Sequence, residues 1–169
     1  MMQLLQLMFE IAILRRGPQD LPASNLLAWL VTLAYVVGSA VQSVLRGWDA
    51  PTTMVLLILD VGVQTLWLWG LLMFFAKRAR FLQTYSAFMG VNALLVVLDL
   101  VVTGVQGLLG QQMTDASNPW HLVSLCLMLL SLGGVLQHAL EKSLFMCMAL
   151  TFSIMLTVAY VAQISVPGM

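Results

Sequence analysis

Five stretches of mostly apolar residues follow one another along the chain, at 25–45, 53–76, 81–105, 120–138 and 144–164. Each is close to the twenty or so residues that a helix needs to cross the hydrocarbon of a bilayer. Little chain is left between them, so no room remains for a soluble domain. Composition agrees: 61 % of residues are hydrophobic, only 8 % are charged, and the mean hydropathy is +0.97. A water-soluble surface carries roughly a quarter charged residues. An ordinary soluble enzyme, a disordered chain and a free nucleic-acid binder are therefore excluded. Alternating strands of about ten residues are absent, which argues against a β-barrel. Backbone groups in lipid must be satisfied internally, so an all-α, five-helix transmembrane bundle in a single domain is expected.

The segment before the first span, 1–16, reads as a short helix. Gln3, Gln6 and Glu10 recur at helical spacing and make one polar stripe, with Leu4, Leu5, Met8, Phe9, Ile11 and Leu14 on the rest. The pattern predicts an interfacial amphipathic helix lying on the bilayer or packed against the end of the bundle. It is not read as a cleavable signal, because Arg15 and Arg16 follow the apolar stretch instead of preceding it.

The seven basic residues predict orientation. Arg15, Arg16, Lys77, Arg78, Arg80 and Lys142 fall on one face when the spans alternate, and Arg46 alone on the other. The six-residue face is expected to be cytoplasmic, which puts the N-terminus inside and the C-terminus outside. The longest link, 107–119, holds Gly110, Asp115 and an Asn-Pro pair and suits an external loop. Trp48 and Trp120 read as interface anchors; Trp67 and Trp69 lie deeper in the second span.

Asp60 and Asp99 carry most of the functional signal, since an ionisable residue within a span is costly and marks a site by default. Asp60 lies eight residues past Thr52, and Asp99 seven before Gln106. Counting from the helix ends puts both roughly 10–12 Å below the external boundary, at one depth and facing each other. Tyr85, Asn92, Asp99 and Gln106 recur every seven residues, so they share a face of the third span, joined by Thr103. Gln64 is one turn from Asp60. Thr32, Tyr35, Ser39 and Gln42 make a small, polar stripe on the first span, with Arg46 one turn further out. The expected intramembrane polar cluster is thus Asp60, Gln64, Asn92, Asp99, Thr103, Gln42 and Arg46. Such a cluster serves either helix packing, through interhelical hydrogen bonds, or the binding of an ion, a proton or a partner.

Catalysis finds no footing. No G-x-S-x-G elbow, H-E-x-x-H pair or phosphate loop occurs. The aspartates lack the Gly-x-Gly-Asp context of intramembrane aspartyl enzymes. His121 and His138 sit at opposite ends of one helix, roughly 25 Å apart. Cys126 and Cys147 fall inside spans and read as small hydrophobes with no metal-ligand spacing around them. No metal and no cofactor is expected.

The run Arg15-Arg16-Gly17-Pro18-Gln19-Asp20-Leu21-Pro22 resembles the segment that leads into the membrane in small bacterial inner-membrane proteins, and Lys77-Arg78-Ala79-Arg80 has the same character. With five spans and an inside N-terminus, the plan also resembles the Yip family of membrane proteins. That family's pre-membrane signature has an Asp-Leu-x-Gly-Pro run, which here appears in a different order. The resemblance implies a non-catalytic adaptor, scaffold or assembly factor in the bacterial inner membrane, with a membrane-protein partner or a second copy of itself. Arg15, Arg16, Gln19, Asp20, Lys77, Arg78 and Arg80 would meet partner or anionic lipid. The alternative expectation is a small proton- or cation-coupled transporter centred on Asp60 and Asp99.

Overall fold

The computed structural model describes residues 2–108 and 119–165, with side chains from residue 6 onward. The link over 109–118, with Gly110 and Asp115, the side chain of Gln3 and the tail from 166 lie outside the described residues. Among the described residues six α-helices follow in order: α1 (Met2–Ala12), α2 (Asn25–Leu45), α3 (Ala50–Phe74), α4 (Phe81–Leu108), α5 (Pro119–Leu140) and α6 (Leu144–Ser165). Two short 3₁₀ turns, Pro18–Asp20 and Arg78–Arg80, sit in the connections, and no strand occurs among the described residues. The last five helices are each long and apolar enough to cross a membrane.

Local chemistry explains where the helices stop. Ser24 caps α2 by accepting the N–H of Leu27 at 3.4 Å, and Asp49 caps α3 by accepting that of Thr52 at 3.2 Å. The Asp49 cap lets α3 start at Ala50, with Pro51 in its first turn, where a missing N–H costs nothing. At the other end of α3, Lys77 N–H donates to the Leu72 carbonyl at 2.8 Å and Ala76 N–H to that of Met73 at 3.1 Å. These are the two bonds of a Schellman stop, and Ala76 takes the left-handed conformation that glycine usually fills, with φ of 56°. Glu141 does the same after α5, at φ 57°.

The five long helices close into a ring. Its order is α2, α4, α5, α6, α3 and back to α2, with α3 touching α4 only lightly across it. Sequence neighbours α3 and α4 are thus not the main pair; α2 and α4 form the most extensive interface. In lipid, apolar burial adds little drive to helix association, so contacts depend on van der Waals packing and on small residues that let helices approach. Glycines mark three such approaches. A Cβ on Gly38 of α2 would come within 2.9 Å of Val96 on α4. One on Gly133 of α5 would come within 2.9 Å of Met148 Cγ and 3.3 Å of its backbone on α6. One on Gly90 of α4 would come within 2.8 Å of the Met8 sulfur on α1.

α1 packs on both α4 and α5. Met8 and Ile11 are buried there, whereas Phe9 stays exposed. Leu14, just past the helix, lies over Gly134, where a Cβ would fall 1.7 Å from it. This added helix explains an asymmetry in the bundle. Residues 86–92 of α4 and 131–136 of α5 are buried without a break. Burial on every face needs neighbours on every side. α2, α6 and the ring interior supply most of them, and α1 supplies the rest. The core, with Leu68, Leu72, Phe88, Leu132, Leu136 and Cys147, therefore fills the half of the bundle nearest the starts of α2, α4 and α6. In the opposite half, Val97, Val101 and Val105 of α4 and Leu122 and Val123 of α5 are exposed.

Replacing Gly133 by Ala should destabilise the bundle by about 1–3 kcal/mol, the usual cost of overpacking, because the Met148 backbone cannot step aside. Gly62→Ala is the control, since nothing lies within 4 Å of its Cβ position. Thermal unfolding in detergent should show a lower midpoint for the first variant and none for the second.

Candidate functional site: a polar ladder along a chain of cavities

The ring interior is polar in its open half. Asp60 on α3 accepts a hydrogen bond from the Tyr35 hydroxyl of α2 on Oδ2, and from Gln64 Nε2 on Oδ1 at 2.6 Å. Gln64 uses its carbonyl oxygen to accept from Asn92 Nδ2 of α4 at 3.0 Å. Gln64 and Asn92 are each 3 % exposed, so the bond is shielded and both amides are held in one orientation. One turn nearer the packed core, Thr32 Oγ1 and Tyr85 OH join α2 to α4 at 3.0 Å.

Asp99 has a different set of partners. Gln42 Nε2 donates to Oδ2, Trp120 Nε1 donates to Oδ1 at 2.7 Å, and Arg46 Nη2 lies 3.6 Å from Oδ2. Arg46 keeps half its side chain exposed. Each aspartate would cost about 3 kcal/mol at the centre of a span on insertion scales, and these bonds offset it.

The structure places the two aspartates at different levels. Tyr35 and Gln42 are seven residues apart on α2, a rise of about 10 Å. Asp60 is bonded to the first and Asp99 to the second, so Asp60 lies about two turns closer to the packed core. No hydrogen bond or ion pair joins the two carboxylates among the described residues. Counting depth from helix ends misleads here for a physical reason. α4 runs for 28 residues against 21 for α2, and its last turns overshoot the end of α2. Asp99 therefore stands beside the last full turn of α2, at the rim of the bundle.

Three adjoining cavities follow the ladder. The outermost, about 530 Å³, is lined by Gln42, Arg46, Asp99, Thr103, Trp120 and His121 among others. The next, about 400 Å³, shares Asp99, Trp120 and Arg46 with it and reaches Tyr35, Asn92, Met128 and Met155. The innermost, about 200 Å³, holds Asp60 and Gln64 and shares Tyr35, Met128 and Met155 with the second. It ends on Phe88 and Leu132 of the core. Thr103 faces the outermost cavity; Gln64 and Asp60 the innermost.

At the opposite, basic end, much of the charge is used within the chain. Arg16 pairs with Glu10 at 2.7 Å. Lys77 and Arg80 both reach Glu141 at 2.8 Å and so tie the α3–α4 turn to the end of α5. Asp20 accepts the Gly17 N–H at 3.4 Å, and the carbonyls of Gln19 and Leu21 accept from Gln83 at 3.4 and 2.9 Å. His138 Nδ1 lies 2.9 Å from the Gly134 carbonyl, and Lys142 lies over the Phe75 ring. Arg15 and Arg78 are exposed and make no ion pair among the described residues.

One member of the ladder was not singled out for it by sequence: Trp120 reads as an interface anchor, and only the fold brings its indole to Asp99. Tyr35 belongs to the polar stripe read on the first span, and the fold bonds it to Asp60. Both cysteines are free thiols, Cys147 buried and Cys126 exposed. Among the described residues no three His, Cys, Asp or Glu side chains converge on a metal-sized site.

Five apolar helices of spanning length define the class: a multi-pass α-helical membrane protein. Comparison with protein-family models, with curated proteins and with solved structures finds no match.

The Glu141 pairs generate a pH expectation. Hydrogen bonds from Lys77 and Arg80, with their charges, hold its carboxyl below the usual glutamate value of 4.5. A depressed folded value means that the pairs contribute stability above pH 4.5 and lose it as pH falls through the folded value. Thermal midpoints of Glu141→Gln should sit below wild type at neutral pH and converge with it in acid. The same midpoint difference at every pH would show that the pairs contribute nothing.

Proposed function

We propose that this chain is a small proton- or cation-coupled transporter of the bacterial inner membrane, without catalytic activity, that admits its ion from the extracytoplasmic side. The carrying observation is the line of adjoining cavities that runs from Asp99, beside the last turn of α2, to Asp60. Packing alone needs no open space beside a buried carboxylate, whereas an ion path does. The polar ladder spans all three cavities, and the packed core beyond Phe88 and Leu132 closes the other side. In this reading the basic end faces the cytoplasm, as the positive-inside rule favours, with the N-terminus inside and the C-terminus outside. α1 lies at the cytoplasmic interface with Met8 and Ile11 against the bundle and Phe9 toward lipid.

Reconstituted in vesicles, the wild-type protein should dissipate an imposed proton or sodium gradient, read by an internal dye. Asp60→Asn should lower that flux at least tenfold while the protein remains monodisperse. Absence of flux from wild type, or full flux from the variant, would sink the proposal.

A second reading, an adaptor or assembly factor for a membrane partner or for a second copy of the chain, has one observation in its favour. Arg15 and Arg78 are presented at the basic end with no acidic partner among the described residues. The Yip-like plan supports the same reading. Replacing both arginines by Ala should cut partner recovery after crosslinking in native membranes, and unchanged recovery would count against it.

A further inference from the structure

The two aspartates differ in what their partners can do, and the difference assigns them separate tasks. Each described partner of Asp99 is a donor. An indole N–H and a guanidinium have no acceptor atom, and Gln42 presents its amide nitrogen. Arg46 balances its charge. All three of these described partners suit a charged carboxylate.

Among the described residues no cation pairs with Asp60. The groups facing it are Gln64 on its own helix, Tyr35 from α2, Phe88 from α4, Leu132 from α5 and Thr151 from α6. Tyr35 is the one titratable group among them. Asn92 holds the Gln64 carbonyl, so the amide nitrogen of Gln64 is directed at Oδ1. Oδ2 faces the Tyr35 hydroxyl. A hydroxyl donates to a carboxylate and accepts from a carboxylic acid. Of the two partners that hold Asp60, it is the one that can reverse its role without breaking another bond.

We propose that Asp60 is the group that takes up and releases the transported proton, that Tyr35 is the positioning residue that reverses its hydrogen bond as it does so, and that Asp99 is a fixed, charge-paired anion at the mouth. The step balances simply. A proton entering from the outer cavities bonds to Oδ2, the carboxylate becomes a carboxylic acid, and the Tyr35 hydroxyl turns from donor to acceptor; release is the reverse. Tyr35 stands where the second cavity meets the third, so it also lies on the route. An alkali cation fits less well, since it needs converging oxygens. Gln64 turns its amide nitrogen toward Asp60, and its oxygen already accepts from Asn92.

This assignment rests on the transporter reading for its purpose but is tested apart from it. Infrared difference spectra of the full chain in lipid nanodiscs, titrated to alkaline pH from a starting pH at which exposed carboxyls are already ionised, should show one protonated-carboxyl band that disappears as pH rises. The band should be absent in Asp60→Asn, present in Asp99→Asn, and moved to higher frequency in Tyr35→Phe, which removes its acceptor. If Asp60→Asn does not fold, Asp60→Glu replaces it: heavy-carbon labelling of aspartate carboxyls should shift the wild-type band and leave that variant's band in place. A band that survives Asp60→Asn, that vanishes only in Asp99→Asn, or that never appears overturns the assignment. An Asp60 band in a protein without vesicle flux overturns the transporter reading and leaves the assignment standing.

Discussion

The close seat of α1 on α4 and α5 is the contact on which the rest of the molecule depends. Met8 sits over Gly90 and Leu14 over Gly134, at distances that no larger residue would allow. Dispersion between atoms in contact is individually small and collectively large, and here it is concentrated at one end. That end gains a sixth helix against two members of a five-helix ring. At the other end the described residues place five helices alone, and the three cavities beside the aspartates lie there.

The polar ladder uses this difference. In the packed half, α4 presents residues buried on every face, and its hydrogen bonds to other helices are few. From Asn92 outward the same helix turns polar side chains into the ring interior. Apart from Gln64 to Asp60 within α3, these bonds cross between helices: α2 to α3 at Tyr35 and Asp60, α3 to α4 at Gln64 and Asn92, α2 to α4 at Gln42 and Asp99, α5 to α4 at Trp120 and Asp99. Interhelical bonds of this kind contribute roughly 0.6 kcal/mol each on average. That is enough to hold register and orientation. It also leaves one carboxylate paired with a cation and the other with neutral donors, which is where the chemical difference between them arises.

The basic end shows how charge can be read too simply. As a string, Arg16, Lys77 and Arg80 look available to a partner or to lipid. In the fold, Glu10 and Glu141 hold all three. Glu141 is sixty-odd residues from Lys77, so no local pattern links them, and its left-handed backbone at the end of α5 brings it back toward the α3–α4 turn.

The sequence alone determined the helices. Their number, their length and their all-α character follow from apolar stretches of spanning length and from the need to satisfy every backbone group internally. It also picked out Asp60, Gln64, Asn92, Asp99 and Gln42 as polar residues on inward faces, because a seven-residue period keeps a residue on one side of a helix. Only the tertiary structure decided which of them meet. Helical period specifies a face but not a level, and level depends on how far helices of unequal length overshoot each other. Ring order is equally silent in the string: α2 packs chiefly on α4, not on α3 which follows it, because Gly38 and Val96 fit there. Those two facts, overshoot and ring order, place Asp60 with Tyr35 and Asp99 with Arg46 and Trp120.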